Sequence, residues 1–192
     1  MRVEYRLATT ADAGEVAAIY APYVRETAIS FETEAPDEAE IASRIARIGA
    51  QYPWIVAVDD GRIVGYSYAC EYRARRAYRW SVDAAVYLDA AAHRRGIGRA
   101  LYERLFALLV EQGYANAFGG ITLPNPASVG LHESMGFVLT GVHRQPGYKS
   151  GGWPDVGWWQ KVLQTPGGDP PAEPRAIGEI SVGRVAEILR GV

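Results

Sequence analysis

Val3, Tyr5 and Leu7 alternate with Arg2, Glu4 and Arg6 at the start of the chain, the two-residue period of a strand with one buried face. Thr9, Thr10 and Asp12 follow at once and supply capping residues, so the strand should run into a helix through Ile19 and Tyr20, with Pro22 near its end. A second helix is expected over roughly 37–48, opened by Pro36 and Asp37 and closed by Gly49. The intervening VRETAISFETEAP is longer, more aromatic and more polar than a plain connection requires. Trp54 to Val58 and Ile63 to Ala69 are strand-like runs joined by Asp59, Asp60 and Gly61, a composition that favours a tight hairpin.

Arg79 to Leu88 is a third such run. After DAAAHRRGIGRA the period becomes helical, with the leucines of LYERLFALLVEQG, Phe106 and Val110 in step until Gly113. Ala115 to Ile121 reads as another strand. LPNPASVGLHESMGF then offers a turn, a short helix and Gly136 before a strand at Phe137. Gly147 to Val156 suggests a loop or irregular hairpin, and Val156 to Leu163 the last strand. The order predicts a mixed sheet with helices on its faces, an α/β unit occupying residues 1–163. Beyond it, TPGGDPPAEPRA reads as a flexible linker, and Ile180 to Arg190 as a short helix around Val182, Val185, Ile188 and Leu189. The tail, 164–192, is either a partly disordered appendage or a segment packed on the core or on a partner subunit.

Composition adds mainly exclusions. The 192 residues, 48% of them hydrophobic and 22% charged, fit one compact domain with a sizeable core. A formal net charge of −2 provides no global field for nucleic acid or an anionic membrane. The single cysteine, Cys70, rules out an intrachain disulfide, and three histidines without ligand spacing give no reason to expect a metal. MRVEYRLATT lacks the pattern of a signal peptide, and no apolar run reaches the roughly 18 residues of a membrane span. The expected setting is the reducing cytoplasm.

HRRGIGRAL lies between an apolar strand and an amphipathic helix, so unencumbered backbone N–H groups and a helix N-terminus meet at one point, with Arg94, Arg95 and Arg99 adding charge. This is an anion cradle, or else a turn in which Gly96 and Gly98 only permit close backbone approach. GIGRAL lacks the third glycine of a dinucleotide fingerprint and the Gly-Lys-Ser/Thr ending of a P-loop, leaving another phosphate-bearing ligand. Asp83, amid the apolar SVDAAVYL, is a carboxylate that needs a reason to be there. His132 has a near-neutral reference pKa suited to proton donation, or is a histidine bonded at a helix end. Asn125 and Ser128 open the helix that carries it. Arg73, Arg75, Arg76 and Arg79 crowd one short loop, as anchors for a carboxylate or phosphinate or as a solvated basic surface.

With these residues in order, the chain resembles the GNAT family of N-acetyltransferases, whose turn wraps the pyrophosphate of coenzyme A in the form Gln/Arg-x-x-Gly-x-Gly/Ala. The matching residues are His93, Arg94, Arg95, Gly96, Ile97 and Gly98; His93 departs from the usual Gln or Arg. The resemblance covers Val3 to Leu163 and implies the acyl-CoA N-acyltransferase fold, with a splayed central sheet. YPWIVAVDDGRIVGYSYA, RRAYRWSVDAAVYLD, ITLPNPASVGLHESMGF and GYKSGGWPDVGWWQ together look like the phosphinothricin or methionine sulfoximine acetyltransferase subfamily. The implied donor is acetyl-CoA and the implied acceptor the α-amine of a small glutamate-like compound.

By that resemblance Asp83, where the subfamily usually carries Glu, is the general base, and His132 is the acid or a sensor of substrate charge. The backbone of Ala85, Val86, Tyr87 and Leu88 holds the thioester and pantetheine arm. Residues 93–99 hold the pyrophosphate, with Asn125 and Ser128 beside the cofactor. Arg73 and Arg75, with Tyr78 nearby, anchor the acceptor, and Thr27, Phe31 and Glu32 form a wall. Tyr148, Lys149, Trp153, Trp158 and Trp159 lie near a closing hairpin where a partner subunit can complete the cleft, and a homodimer is implied. The alternatives are acetylation of another amine, which the arginines disfavour if that amine is cationic, and a coenzyme A-binding module without catalysis.

Overall fold

The computed structural model describes residues 3–191. Seven strands form one sheet: β1 (Glu4–Leu7), β2 (Trp54–Asp59), β3 (Arg62–Glu71), β4 (Ser81–Leu88), β5 (Asn116–Leu123), β6 (Val138–His143) and β7 (Asp155–Val162), in the order β1-β2-β3-β4-β5-β7-β6. Every pairing is antiparallel except that of β4 with β5, so the mixed α/β class expected from the sequence is what is found. The β2–β3 hairpin turns on Asp60 and Gly61, both at positive φ, as Asp-Gly favours.

Helices cover both faces. On one side α1 (Ala13–Arg25) and α2 (Glu38–Gly49) bury Val16, Ile19, Ile41 and Ile45 against Trp54, Val56 and Tyr66. On the other, α3 (Ile97–Gln112) presses Leu101, Leu105, Leu108 and Leu109 onto Ile55, Ala69, Val82 and Ala84. Strand alternation therefore assigns Val82 and Ala84 to the α3 side and Asp83 to the α1–α2 side. The short α4 (Pro126–Ser134) stands at the end of β5.

Pairing between β4 and β5 runs from Ser81 opposite Asn116 to Asp83 opposite Phe118 and there stops. β4 continues to Leu88 beside β3, and β5 to Leu123 beside β7. The two strands part, and Asp83 sits at the fork.

The tail packs on the core. Ile177, Ile180, Val185, Ile188 and Leu189 are buried with the α3 leucines, and α5 (Val182–Arg190) lies against α3 and β1. Arg104 Nε donates to the Leu189 carbonyl at 2.7 Å, fixing the helix end. The proline-rich stretch before α5 is held too: Gln164 donates to the carbonyls of Val110 and Tyr114, and Arg175 N to that of Gln112.

Candidate active site

The cradle forms because Arg94 and Gly96 adopt positive φ, 58° and 79°, turning successive N–H groups toward one side ahead of α3. Among the described residues, no backbone N–H from 94 to 99 donates to a protein acceptor; the first turn of α3 begins with Ala100 N on Gly96 O. At Gly98 a Cβ would stand 3.4 Å from both Leu88 and Leu131, so the helix start packs tightly where it is. The arrangement fits a pyrophosphate. Ile97 is buried and offers only its backbone. Arg95 is drawn to the buried Asp59 at 2.6 Å, and Arg99 to Ser134 Oγ at 2.8 Å. Arg94 is exposed. His93 Nε2 lies 3.2 Å from the Tyr23 hydroxyl, which already donates to the Leu88 carbonyl; the histidine nitrogen is therefore the donor of that pair.

Beyond the fork, Ala85 to Leu88 have β3 on one side and, among the described residues, no strand on the other, so one row of backbone groups lines the opening. The Tyr87 ring is packed edge-on to Tyr20 and Tyr23, leaving its backbone toward the fork.

At the fork, burial pushes the Asp83 carboxyl up to about 7, with Arg73 pulling the other way. Its Oδ1 is buried with no hydrogen-bond partner among the described residues. Cys70 faces it across β3, and burial, with Asp83 adding to the effect, pushes that thiol up to about 12. Phe118, opposite Asp83 on β5, stacks on Tyr72 at 4.1 Å between ring centroids, and Tyr78 meets Tyr72 edge-on. Farther along the same face of β5, Trp158 covers Gly120, and its Nε1 is also buried and unpartnered. Nothing in the sequence singles out Tyr72 or Phe118, since their pairing depends on which strands become neighbours.

His132 lies on the α3 side. Its Nδ1 is 2.8 Å from the Ser128 carbonyl, which fixes the proton there, and Nε2 accepts from Tyr102 Oη at 3.0 Å. Burial lowers its pKa, opposed by the bond to Ser128. The imidazole is neutral at pH 7 and fully satisfied. It closes over β5 so tightly that a Cβ at Gly119 would come within 2.9 Å of Nε2, while Tyr102 reaches toward the Ala84 carbonyl at 3.5 Å. The Tyr102–His132 pair thus lies across the fork on the face opposite Asp83. Asn125 caps α4, its Oδ1 accepting from Ser128 N at 3.1 Å.

The four loop arginines divide. Arg76 and Arg79 both bind Glu173 of the tail, whereas Arg73 and Arg75 are exposed and, among the described residues, have no carboxylate partner. Arg73 lies 5.0 Å from the Tyr72 ring centre. Thr27 lines a cleft of about 560 Å³ with Ile29, Thr122, Lys149 and Trp153. Phe31 packs on Gly147, where a Cβ would meet it at 2.9 Å. Glu32 is held by Arg44 through two bonds of 2.7 and 3.0 Å and by Tyr20, and faces a second cleft beside Trp54 and Tyr68. Lys149 is buried: its Nζ donates to the carbonyls of Ser30 and Glu32, latching the α1–α2 connection to the loop before β7.

Known proteins share this architecture. Residues 5–158 match the family model of the acetyltransferase (GNAT) domain. The chain is 38% identical to phosphinothricin N-acetyltransferase of Streptomyces viridochromogenes over 178 residues, 93% of this chain and 96% of that protein. It is 32% identical to the L-methionine sulfoximine/L-methionine sulfone acetyltransferase of Salmonella typhimurium, covering 82% of this chain and 93% of that one. The phosphinothricin acetyltransferase of Sinorhizobium meliloti, solved in complex with acetyl-CoA, superposes with a TM-score of 0.81 at 36% identity, covering 85% of this chain and 89% of the other. With a family model spanning the sheet from β1 into β7 and relatives matched nearly end to end, the chain belongs to the GNAT acetyltransferase family and is an acetyl-CoA-dependent N-acetyltransferase.

Proposed function

We propose that the chain acetylates the α-amine of a small glutamate-like amino acid such as phosphinothricin or methionine sulfoximine. The observation that carries this reading is the division of the loop arginines. Arg73, close enough to Asp83 to act on its charge, and Arg75 have no carboxylate partner among the described residues, while Arg76 and Arg79 share Glu173, and a planar fork of donors matches a carboxylate or phosphinate. A cationic acceptor would be repelled there.

Acetyl-CoA brings the thioester whose C–S bond is replaced by the new C–N bond. Residues 93–99 hold its pyrophosphate and the open row of Ala85 to Leu88 its arm, with Asn125 and Ser128 at the start of α4 beside it. Backbone N–H groups at the fork stabilise the charge that develops on the carbonyl oxygen. Asp83 takes the amine proton, directly or through one water; its raised pKa brings a carboxylate base close to neutral pH. The proton that the departing thiolate needs comes from the Tyr102 hydroxyl and is replaced from solvent, with His132 Nε2 the resting acceptor of that hydrogen and not itself the donor, so base and acid stand on opposite faces of the sheet. In this reading Thr27 lines the acceptor cleft, Phe31 on Gly147 and Tyr78 on Tyr72 stand at its margins, and Glu32, held by Arg44, belongs to the second cleft. The working form in this reading is a cytoplasmic homodimer, with the exposed outer edge of the sheet at β6 as its contact.

A thiol-release assay with acetyl-CoA against phosphinothricin, methionine sulfoximine and free amino acids tests the acceptor class. In it kcat/KM should rise through an apparent pKa near 7, and Asp83→Asn should lose about 10²–10⁴-fold. Full turnover by Asp83→Asn across pH removes the base role, and no turnover of any acidic acceptor removes the substrate class.

A further inference from the structure

We propose that the stretch from Gln164 to Arg175 is a strap that sets the position of the loop carrying Arg73 and Arg75, with Glu173 as its positioning residue. The inference rests on the reading of those two arginines as acceptor anchors. Both ends of the strap are fastened to the C-terminal end of α3. Gln164 Nε2 donates to Val110 O and Tyr114 O, each at 3.0 Å. At the other end Arg175 N donates to Gln112 O at 2.8 Å. The buried Gln112 returns the bond to Arg175 O at 2.8 Å and also holds Gln51 O.

Between these moorings the chain crosses the arginine loop and grips it three times. Glu173 Oε1 accepts from Arg76 Nη2 at 2.9 Å and also from Arg79 Nη1, and the Ala172 carbonyl accepts from Trp80 Nε1 at 2.8 Å. The gripped residues form one unit: Arg79 Nε donates to the Arg76 carbonyl at 2.8 Å, and its guanidinium lies 4.8 Å from the Trp80 ring centre. Arg75 enters that unit through its carbonyl, which accepts from Tyr78 N at 2.9 Å, and Tyr78 meets the Tyr72 ring that stacks on Phe118 below Asp83. The Glu173 carboxylate, shared by Arg76 and Arg79, also cancels one of their two charges and ties up both guanidinium groups that would compete with Arg73 and Arg75 for the acceptor.

Ion pairs this exposed add little to global stability, because solvent screens them. Their effect belongs to the placement of the loop, and that separates the proposal from a merely structural role. Glu173→Ala should raise the acceptor KM about three- to tenfold, with kcat and the acetyl-CoA KM within about twofold and Tm within about 2 °C. Amide hydrogen exchange over residues 76–80 should quicken, and Glu173→Asp should restore most of the loss. Arg73→Ala and Arg75→Ala serve as controls for the anchoring. If they raise the acceptor KM and Glu173→Ala does not, the strap is wrong. A raised KM with unchanged exchange overturns it as well, since Glu173 would then act on the acceptor directly. If neither arginine variant affects the acceptor KM, the anchoring reading fails and the strap's role falls with it.

Discussion

Asp83 is asked for two incompatible things. The proposed base role needs its carboxylate near neutral pH, but the site buries one oxygen with no partner among the described residues and pushes the group up to about 7 from an ordinary value near 4. Between those values the folded chain holds the proton more tightly than the unfolded one. The stabilisation is complete below about pH 4 and is lost as pH rises through about 7. An uncharged amide escapes that loss. Asp83→Asn should therefore be more stable than the parent at pH 8 by roughly 1–4 kcal/mol and about equal at pH 4, as urea midpoints at the two pH values would show. Equal midpoints at pH 8 would mean that water reaches the carboxylate. The aspartate itself was legible in the sequence as an acid inside an apolar run. The neighbours that shape its environment were not, because Phe118 comes opposite it, and Tyr72 onto Phe118, through strand pairings invisible to local pattern.

Among the elements, the sequence marked strands and helices well wherever one periodicity ran unbroken, as along α3, and less well at ends set by side chains. The strand expected from Arg79 begins at Ser81, since Arg79 turns back to the Arg76 carbonyl and to Glu173 before pairing starts. The tail is the largest such case. Its glycines and prolines resemble a linker, yet Gln112, Arg76 and Arg79 hold it through contacts 60 residues and more away. β6 presents the opposite situation, an edge strand exposed at nearly every position, with Val138 68% and Leu139 48% accessible and, among the described residues, no partner strand beyond it. Apolar edges of this kind are usually charged or covered. If β6 is the dimer contact, Leu139→Asp should convert a species of twice the chain mass into one of single mass in sedimentation. A parent protein that already runs at single mass would discard the dimer.

For the whole molecule the decisive feature is the parting of β4 from β5. Three paired positions join four strands on one side to three on the other, and past Asp83 a row of strand backbone on each flank is left without a ladder. Such rows are unstable in any sheet that stays open, because each unpaired amide must settle for water. In the proposed binding mode the pantetheine arm, a slender chain with amide groups of its own, lies between β4 and β5 and completes the sheet as an eighth strand would. On that proposal, cosubstrate binding is the last step of folding. The linkage follows: acetyl-CoA at about a hundred times its dissociation constant should add about 2.7 kcal/mol to unfolding, raising Tm in a thermal scan before any acceptor is present. Desulfo or shortened analogues that keep the pantetheine amides should retain most of that gain, while adenosine diphosphates that fill only the cradle should not.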